Sequence, residues 1–277
     1  MKTGVYSAQK KNGAVYYRAS ITYKGKHISL GSYQKESEAH KAYQLSGKIL
    51  SEASRLHINN YPKGCIISFH KWVVLHNFRD HGIYFKNPIY LKKNYFLYYL
   101  DIDTPLKFDV DDLFYYARHK IMKRGGHLFA SDYGMQVGIL SRYGIKNYAV
   151  PGRDYRFSNG DPTDFRYANI EIINRYHGVT KTIVNGLPVY LAKIHINGDF
   201  LIGRYQTEEE AAIAYNKAAL KINEKGIFKN FPQNYLEGMD EISYASLYQR
   251  IRISKKIMEY FNSEKYIKSR PHGLSQP

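Results

Sequence analysis

The chain has one cysteine, Cys65, and one tryptophan, Trp72, in 277 residues. A lone cysteine excludes an intramolecular disulfide and any zinc site built from several thiolates, and it fits a reducing interior with Cys65 as an inert, part-buried thiol. Long apolar runs are also missing. The longest, at 66–75, is cut by His70 and Lys71, far short of the roughly 20 residues that cross a bilayer. No secretory leader is visible at the N-terminus. Acidic side chains are scarce beside basic ones, 24 against 41. These absences predict a soluble cytoplasmic protein with no membrane partner and no disulfide framework.

What is present is a basic chain with ordinary apolar content. Hydrophobic residues make up 44%, enough for several small cores. The net charge of +17 is unevenly spread: residues 1–63 carry eleven Lys and Arg against three acids, a balance of +8, whereas residues 176–238 carry seven against six. Such an excess draws polyanions, chiefly nucleic acid. Charge alone does not separate DNA from RNA, so an RNA- or ribosome-associated protein stays as one alternative.

One segment occurs twice. HISLGSYQKESEAHKAYQLSGKIL at 27–50 returns as DFLIGRYQTEEEAAIAYNKAALKI at 199–222. Each copy ends in Asn-aromatic-Pro, at Asn60-Tyr61-Pro62 and Asn230-Phe231-Pro232. A recurring block is one supersecondary unit used twice. In the first copy, 15–23 reads as a strand, Lys24-Gly25-Lys26 as a turn and 27–33 as the returning strand, with a third strand at 4–9. Alternation puts Tyr17, Ala19, Ile21, Ile28 and Leu30 on one face and Arg18, Ser20, Thr22, His27 and Ser29 on the other. A helix over 35–52, with Ala39, Ala42 and Tyr43 at helical spacing, covers the apolar face. In the second copy Tyr190, Ala192, Ile194, Ile196, Phe200 and Ile202 face the helix, Asn197-Gly198 reads as a two-residue hairpin turn, and Thr207 with Glu210 reads as a capping box.

The shared Gly-Val start (Gly4-Val5, Gly178-Val179), the aromatic-x-Ala-x-Ile strand (17–21, 190–194), the Ala-rich helix and the Asn-aromatic-Pro tail resemble the apetala-two/ethylene-response-factor (ERF) DNA-binding domain. The resemblance implies a three-stranded sheet laid in the major groove of double-stranded DNA, with outward strand residues touching bases and phosphates. Carried over by position, the reading residues are Tyr6, Ala8, Arg18, Ser20, Thr22, His27 and Ser29 in the first copy, and Thr180, Thr182, Leu191, Lys193, His195, Asp199 and Leu201 in the second. The expected DNA-binding set is Tyr6, Arg18, Ser20, Thr22, His27 and Ser29 with the flanking Lys10, Lys11, Lys24 and Lys26, and Thr180, Lys181, Lys193 and His195. The plant pattern of several arginines and tryptophans on these strands is absent. Asp199 and Leu201 on the outer face of the second copy point to weaker DNA contact there, so the first copy is expected to be the main reader. Ser20, Thr22 and Ser29 taken singly read equally well as a solvated sheet face.

Between the copies, PIYLKKNYFLYYLDIDTPLKF reads as a hairpin and acidic turn, and NGDPTDFRYANIEII as a turn and short helix. This stretch resembles the HNH homing-endonuclease domain. That resemblance implies a histidine general base beside a bound metal. The positions that would carry this chemistry read Leu140-Ser141-Arg142, Arg156-Phe157 and Asp164-Phe165-Arg166, and phenylalanine neither accepts a proton nor ligates a cation. The expectation is a nuclease outline without catalysis, cofactor or metal. An active endonuclease re-sited on His119, His127, Asp132 or Asp154 is the enzyme alternative.

The sequence therefore predicts an α+β protein. Its parts are an ERF-like domain at 1–62, a linker at 63–87 whose Trp72, Val73, Val74 and Leu75 read as a helix or strand packed on a core, a degenerate HNH-like domain at 88–175, a second ERF-like domain at 176–238, and a C-terminal helix and basic tail at 239–277. Apolar residues Tyr244, Leu247, Ile251, Met258 and Phe261 at 3,4-type spacing fit intramolecular packing or a homodimer seam. The expected function is sequence-specific DNA binding by a non-catalytic transcriptional regulator of a phage or mobile element, associated with the nucleoid.

Overall fold

The computed structural model describes residues 1–132, 134–225 and 229–262. The elements run β1 (Val5–Gln9), β2 (Val15–Tyr23), β3 (Lys26–Tyr33), α1 (Glu36–Leu50), α2 (Phe69–His81), β4 (Ile89–Leu91), β5 (Tyr95–Tyr99), β6 (Pro105–Asp109), α3 (Leu113–Arg118), β7 (Ile121–Arg124), β8 (His127–Asp132) and β9 (Met135–Gly138). There follow β10 (Tyr155–Phe157), β11 (Ile170–Ile172), β12 (Val179–Val184), β13 (Leu187–His195), β14 (Asp199–Tyr205), α4 (Glu208–Glu224), α5 (Glu241–Arg250) and α6 (Lys255–Asn262). The class is α+β, with four three-stranded antiparallel sheets, β1-β2-β3, β4-β5-β6, β7-β8-β9 and β12-β13-β14, and the small pair β10-β11. Two compact units divide the chain: residues 1–139 with 157–170, and residues 140–156 with 171–277.

The two repeats fold alike, one in each unit. In each, a helix lies on one face of a three-stranded meander. Ala39, Ala42 and Ile49 of α1 are buried against Val5, Ala19, Ile28 and Leu30, and Ala211, Ala214, Ala218 and Ile222 of α4 against Val179, Ala192, Ile194 and Ile202. Small alanines let the helix approach the sheet. The same closeness fixes Gly4 and Gly178. Both have positive φ, 75° and 72°, and a methyl group on either would run into the ring of Tyr43 or Tyr215. Thr207 caps α4 by accepting a hydrogen bond from the Glu210 amide at 3.1 Å, and Glu210 accepts from the Gln206 amide at 3.2 Å.

Both sheets carry a bulge at the same place. The register slips between Ala19 and Ser20 opposite β3, and between Ala192 and Lys193 opposite β14. The β12–β13 hairpin turns through Asn185-Gly186, whose φ values are 51° and 78°, as a tight two-residue turn demands. The Asn197-Gly198 turn differs from expectation: it is a three-residue link between His195 and Asp199 that includes Ile196, because Ile196 is buried in the core.

Residues 63–87 pack on a core around Trp72, and of the two forms expected, helix or strand, the segment takes the helix. They form α2, capped by Ser68 accepting from the Lys71 amide at 3.3 Å, and its Trp72, Leu75 and Phe78 belong to the core of the first repeat. The indole of Trp72 donates to the carbonyl of Ile58 at 3.0 Å. The other flank of α2 holds the β4-β5-β6 sheet: Asn77 Oδ1 accepts from the Leu91 amide at 2.9 Å, and Phe69 meets Tyr99 edge-on at 5.6 Å. The expected C-terminal helix is broken into α5 and α6 by residues 251–254. Three residues of its stripe, Tyr244, Leu247 and Ile251, pack on the core around α4, the intramolecular use that was one of the two expectations. Lys217 Nζ donates to the carbonyls of Tyr248 and Ile251 at 2.6 and 2.8 Å. The side chains of Met258 and Phe261, the rest of the stripe, and the tail at 263–277 lie outside the described residues.

Candidate nucleic-acid interface

The outer face of β1-β2-β3 is set by register, because residues directly opposite one another in an antiparallel pair share a face. Arg18 stands opposite Tyr6 on β1 and Ser32 on β3. Tyr16 lies two residues away on the same face, and its hydroxyl accepts a hydrogen bond from Arg18 Nη2 at 2.6 Å, with the guanidinium carbon 5.4 Å from the ring centroid. The tyrosine thus holds the guanidinium in a fixed pose above an exposed sheet. Ser20 and the exposed Ser29 form the next row, and Thr22 and His27 the one beyond, with Oγ1 and Nδ1 3.4 Å apart. Lys10 and Lys11 lie in the exposed β1–β2 loop.

Of the expected first-copy residues, Ser20 lies on this face but is nearly covered, and the flanking Lys24 and Lys26 lie off it. Ser20 is only 8% exposed: short and central, it sits at the bulge with its amide bonded to Gly4 O at 3.0 Å. Lys26 stands opposite Tyr23 on the helix side, and its Nζ lies 5.1 Å over the Tyr84 ring. Lys24, in the turn, leans toward the ring of Tyr23 at 5.4 Å. Tyr16 and Ser32 were not expected. Tyr16 follows from alternation with Arg18, whereas Ser32 lies beyond the bulge, where simple alternation fails.

In the second copy Thr180, Lys193 and His195 lie on the outer face, and His195 Nδ1 is 2.8 Å from Asp199 Oδ1 in an exposed pair. Lys181 does not belong there. It stands opposite Tyr190, on the helix side, because it is one residue from Thr180 and one step along a strand changes face. Arg204, unexpected, stands opposite Leu191 on the outer face and is exposed. Among the described residues it makes no side-chain hydrogen bond or ion pair.

The HNH-like stretch is a structural knot. Phe157 and Phe165, at the positions where that pattern carries chemistry, contact each other edge-on at 5.6 Å, and Phe165 stacks on Phe108 at 5.5 Å. Asp164 is fully buried and accepts from Arg166 Nε and Nη2 at 2.9 and 2.7 Å and from Asn159 Nδ2 at 3.1 Å, with Lys107 Nζ at 3.4 Å. Burial pushes its carboxyl up, but the Arg166 bonds and the Lys107 charge outweigh that and hold it at about 2. The expected short helix is one 3₁₀ turn, Tyr167–Asn169. A pocket of about 400 Å³ beside it is lined by Asp109, Ser158, Asn159, Arg166, Ala168 and Asn169. Its polar groups are already engaged, with Asp109 accepting from the Tyr167 amide at 2.7 Å and Asn169 Oδ1 from the Asn159 amide at 2.8 Å.

Of the residues of the enzyme alternative, His119 and Asp132 come together and Asp154 belongs to the other unit. His119 Nδ1 is 2.7 Å from the carbonyl of Ser131 and 3.7 Å from Asp132 Oδ1. His127 is exposed at the start of β8. Asp154, in the other unit, accepts from the Val150 amide at 2.8 Å and from Arg153 Nη2 at 2.7 Å. Among the described residues no three His, Cys, Asp or Glu side chains come together as metal ligands. Among the described residues no helix is long and apolar enough to cross a membrane.

Fold and surface together define an α+β protein with two repeated, helix-backed sheets whose outer faces carry unpaired cations. Comparison with family models, curated proteins and solved structures finds no match for the chain.

Proposed function

We propose that the protein binds double-stranded DNA sequence-specifically through the outer face of β1-β2-β3 and acts as a non-catalytic transcriptional regulator of the phage or mobile-element kind, working in the nucleoid. The observation that carries this reading is Arg18, held by Tyr16 at the centre of an exposed sheet in the most basic part of the chain. A sheet of two or three strands fits the major groove, which is roughly 12 Å wide. There a guanidinium donates to the O6 and N7 of guanine, and Tyr6, Thr22, His27, Ser29 and Ser32 flank it with hydroxyl and imidazole groups. Lys10 and Lys11 are placed at the sheet's end for phosphates. The packed phenylalanines of the HNH-like stretch support a scaffold in place of a hydrolase, with no cofactor or metal in the reading.

The test is enrichment of binding sites from random duplex DNA, with cleavage followed on plasmid in Mg²⁺, Mn²⁺ or Zn²⁺. A defined motif and uncut plasmid are expected. Metal-dependent cleavage lost on His119→Ala or Asp154→Ala contradicts the non-catalytic reading. Equal competition by structured RNA and random duplex contradicts the DNA-specific one.

A further inference from the structure

The second sheet has an outer face unlike the first. Along it run Val184, Leu187 and Leu201, exposed by 45%, 68% and 40%, and the half-buried Leu191. Val184 and Leu187 face each other across the hairpin tip. The corresponding places in the first copy hold Lys10, Ala14, Ser29 and Arg18. Single exposed leucines need no explanation, but an aligned strip on a sheet whose other face is sealed by α4 marks a binding surface.

Two cations are set among these residues: Lys193 stands opposite Leu201, and Arg204 opposite Leu191. Directly opposite side chains in an antiparallel pair lie about 5 Å apart. An apolar protein surface pressed onto this face would bury both charges without counter-ions, which is strongly unfavourable. The DNA major groove satisfies both kinds of group at once. Its base edges offer one apolar feature, the 5-methyl group of thymine, and its walls are rows of phosphates.

We propose that the β12-β13-β14 face reads thymine-containing sequence, with Leu191 and Leu201 contacting 5-methyl groups while Lys193 and Arg204 hold the flanking phosphates. The inference rests on the DNA-binding reading above and extends it to the second repeat. The two copies then recognise different chemistry, hydrogen-bonding base edges in one case and methyl groups in the other. The salt bridge of His195 and Asp199 at the end of the face neutralises the one carboxylate that would oppose a phosphate whenever the imidazole is protonated.

The experiment uses the full chain and the duplex enriched from random DNA. Each thymine in the site is replaced in turn by uracil, which deletes only the methyl group, and binding is read by fluorescence anisotropy at fixed salt. At contacted positions binding weakens roughly three- to fivefold, the value of burying one methyl-sized group. The Leu191→Ser and Leu201→Ser proteins then bind thymine and uracil duplexes equally, with folding verified by circular dichroism. Unchanged binding at every uracil position, while Arg18→Ala still weakens binding tenfold, overturns this inference and leaves the DNA-binding reading standing. Discrimination kept in both serine variants also overturns it, as does dissociation of an oligomer by Leu201→Ser with discrimination intact, which would make the strip a self-association surface. No preference for any duplex over random competitor removes the DNA-binding reading and this inference with it. The uracil series needs no variant, so a misfolded substitution does not decide the result.

Discussion

The two repeats share an inside and differ outside. Inside, an alanine-faced helix, a tyrosine ring against a positive-φ glycine and a bulge at the same register recur in both. Outside, the segment charges of +8 and +1 suggest one strong and one weak polyanion binder. Register tempers that contrast, because Arg18 on β2 is matched by Arg204 on β14, one strand over in the same cross-strand row. The difference lies in what surrounds the cation. Around Arg18 stand Tyr6, Tyr16 and Ser32; around Arg204 and Lys193 stand leucines. Helix-side packing is constrained by volume and tolerates little change, whereas an outer face can be rewritten one side chain at a time without disturbing the fold.

The largest expected effect separates the repeats by their supports. Trp72→Ala removes the indole that α2 places in the first core and should destabilise the unit containing residues 1–139 by about 3–5 kcal/mol. Hydrogen exchange at α1 amides should accelerate while α4 amides keep their protection; equal loss in α1 and α4 would show that the two cores are not independent. Gly4→Ala and Gly178→Ala test the shared inside. Each combines a left-handed backbone with a side chain driven into a tyrosine ring, and each should cost roughly 2–4 kcal/mol by chemical denaturation. A large cost in one copy and none in the other would break the claim of a common interior. At the small end, Asp199→Asn removes an acid from the second outer face and should strengthen duplex binding about twofold at low salt, an effect that fades as salt screens it. Weaker binding would show that Asp199 makes a favourable contact.

The helix-facing residues of both repeats were legible because period-two alternation and helical spacing agree over the same segments. What alternation could not supply was phase beyond an irregularity. Counting from Asp199 and Leu201 puts Arg204 inward; the bulge adds one residue and turns it outward. Lys181 and Lys26 were chosen for their charge and not their phase, and register puts both on the helix side of their sheets. At 63–87 the packing of Trp72 was legible but helix and strand were not told apart, because α2 is buried on nearly every side and leaves no polar stripe to give a helical period. In the middle stretch the sequence shows phenylalanine where the resembled pattern has a histidine, at Phe157, and an asparagine, at Phe165, but only the fold shows that the two rings pack together with Phe108.

The most direct test of the central claim compares wild type, Arg18→Lys and Arg18→Ala on the enriched duplex and on versions altered at each guanine, titrated across salt. Arg18→Ala should lose about 1–3 kcal/mol of preference at one guanine and bind all versions alike there, and Arg18→Lys should recover charge without full discrimination. The salt slope should fall by no more than about one phosphate contact. Base preference unchanged in Arg18→Ala would contradict reading of DNA by the first sheet.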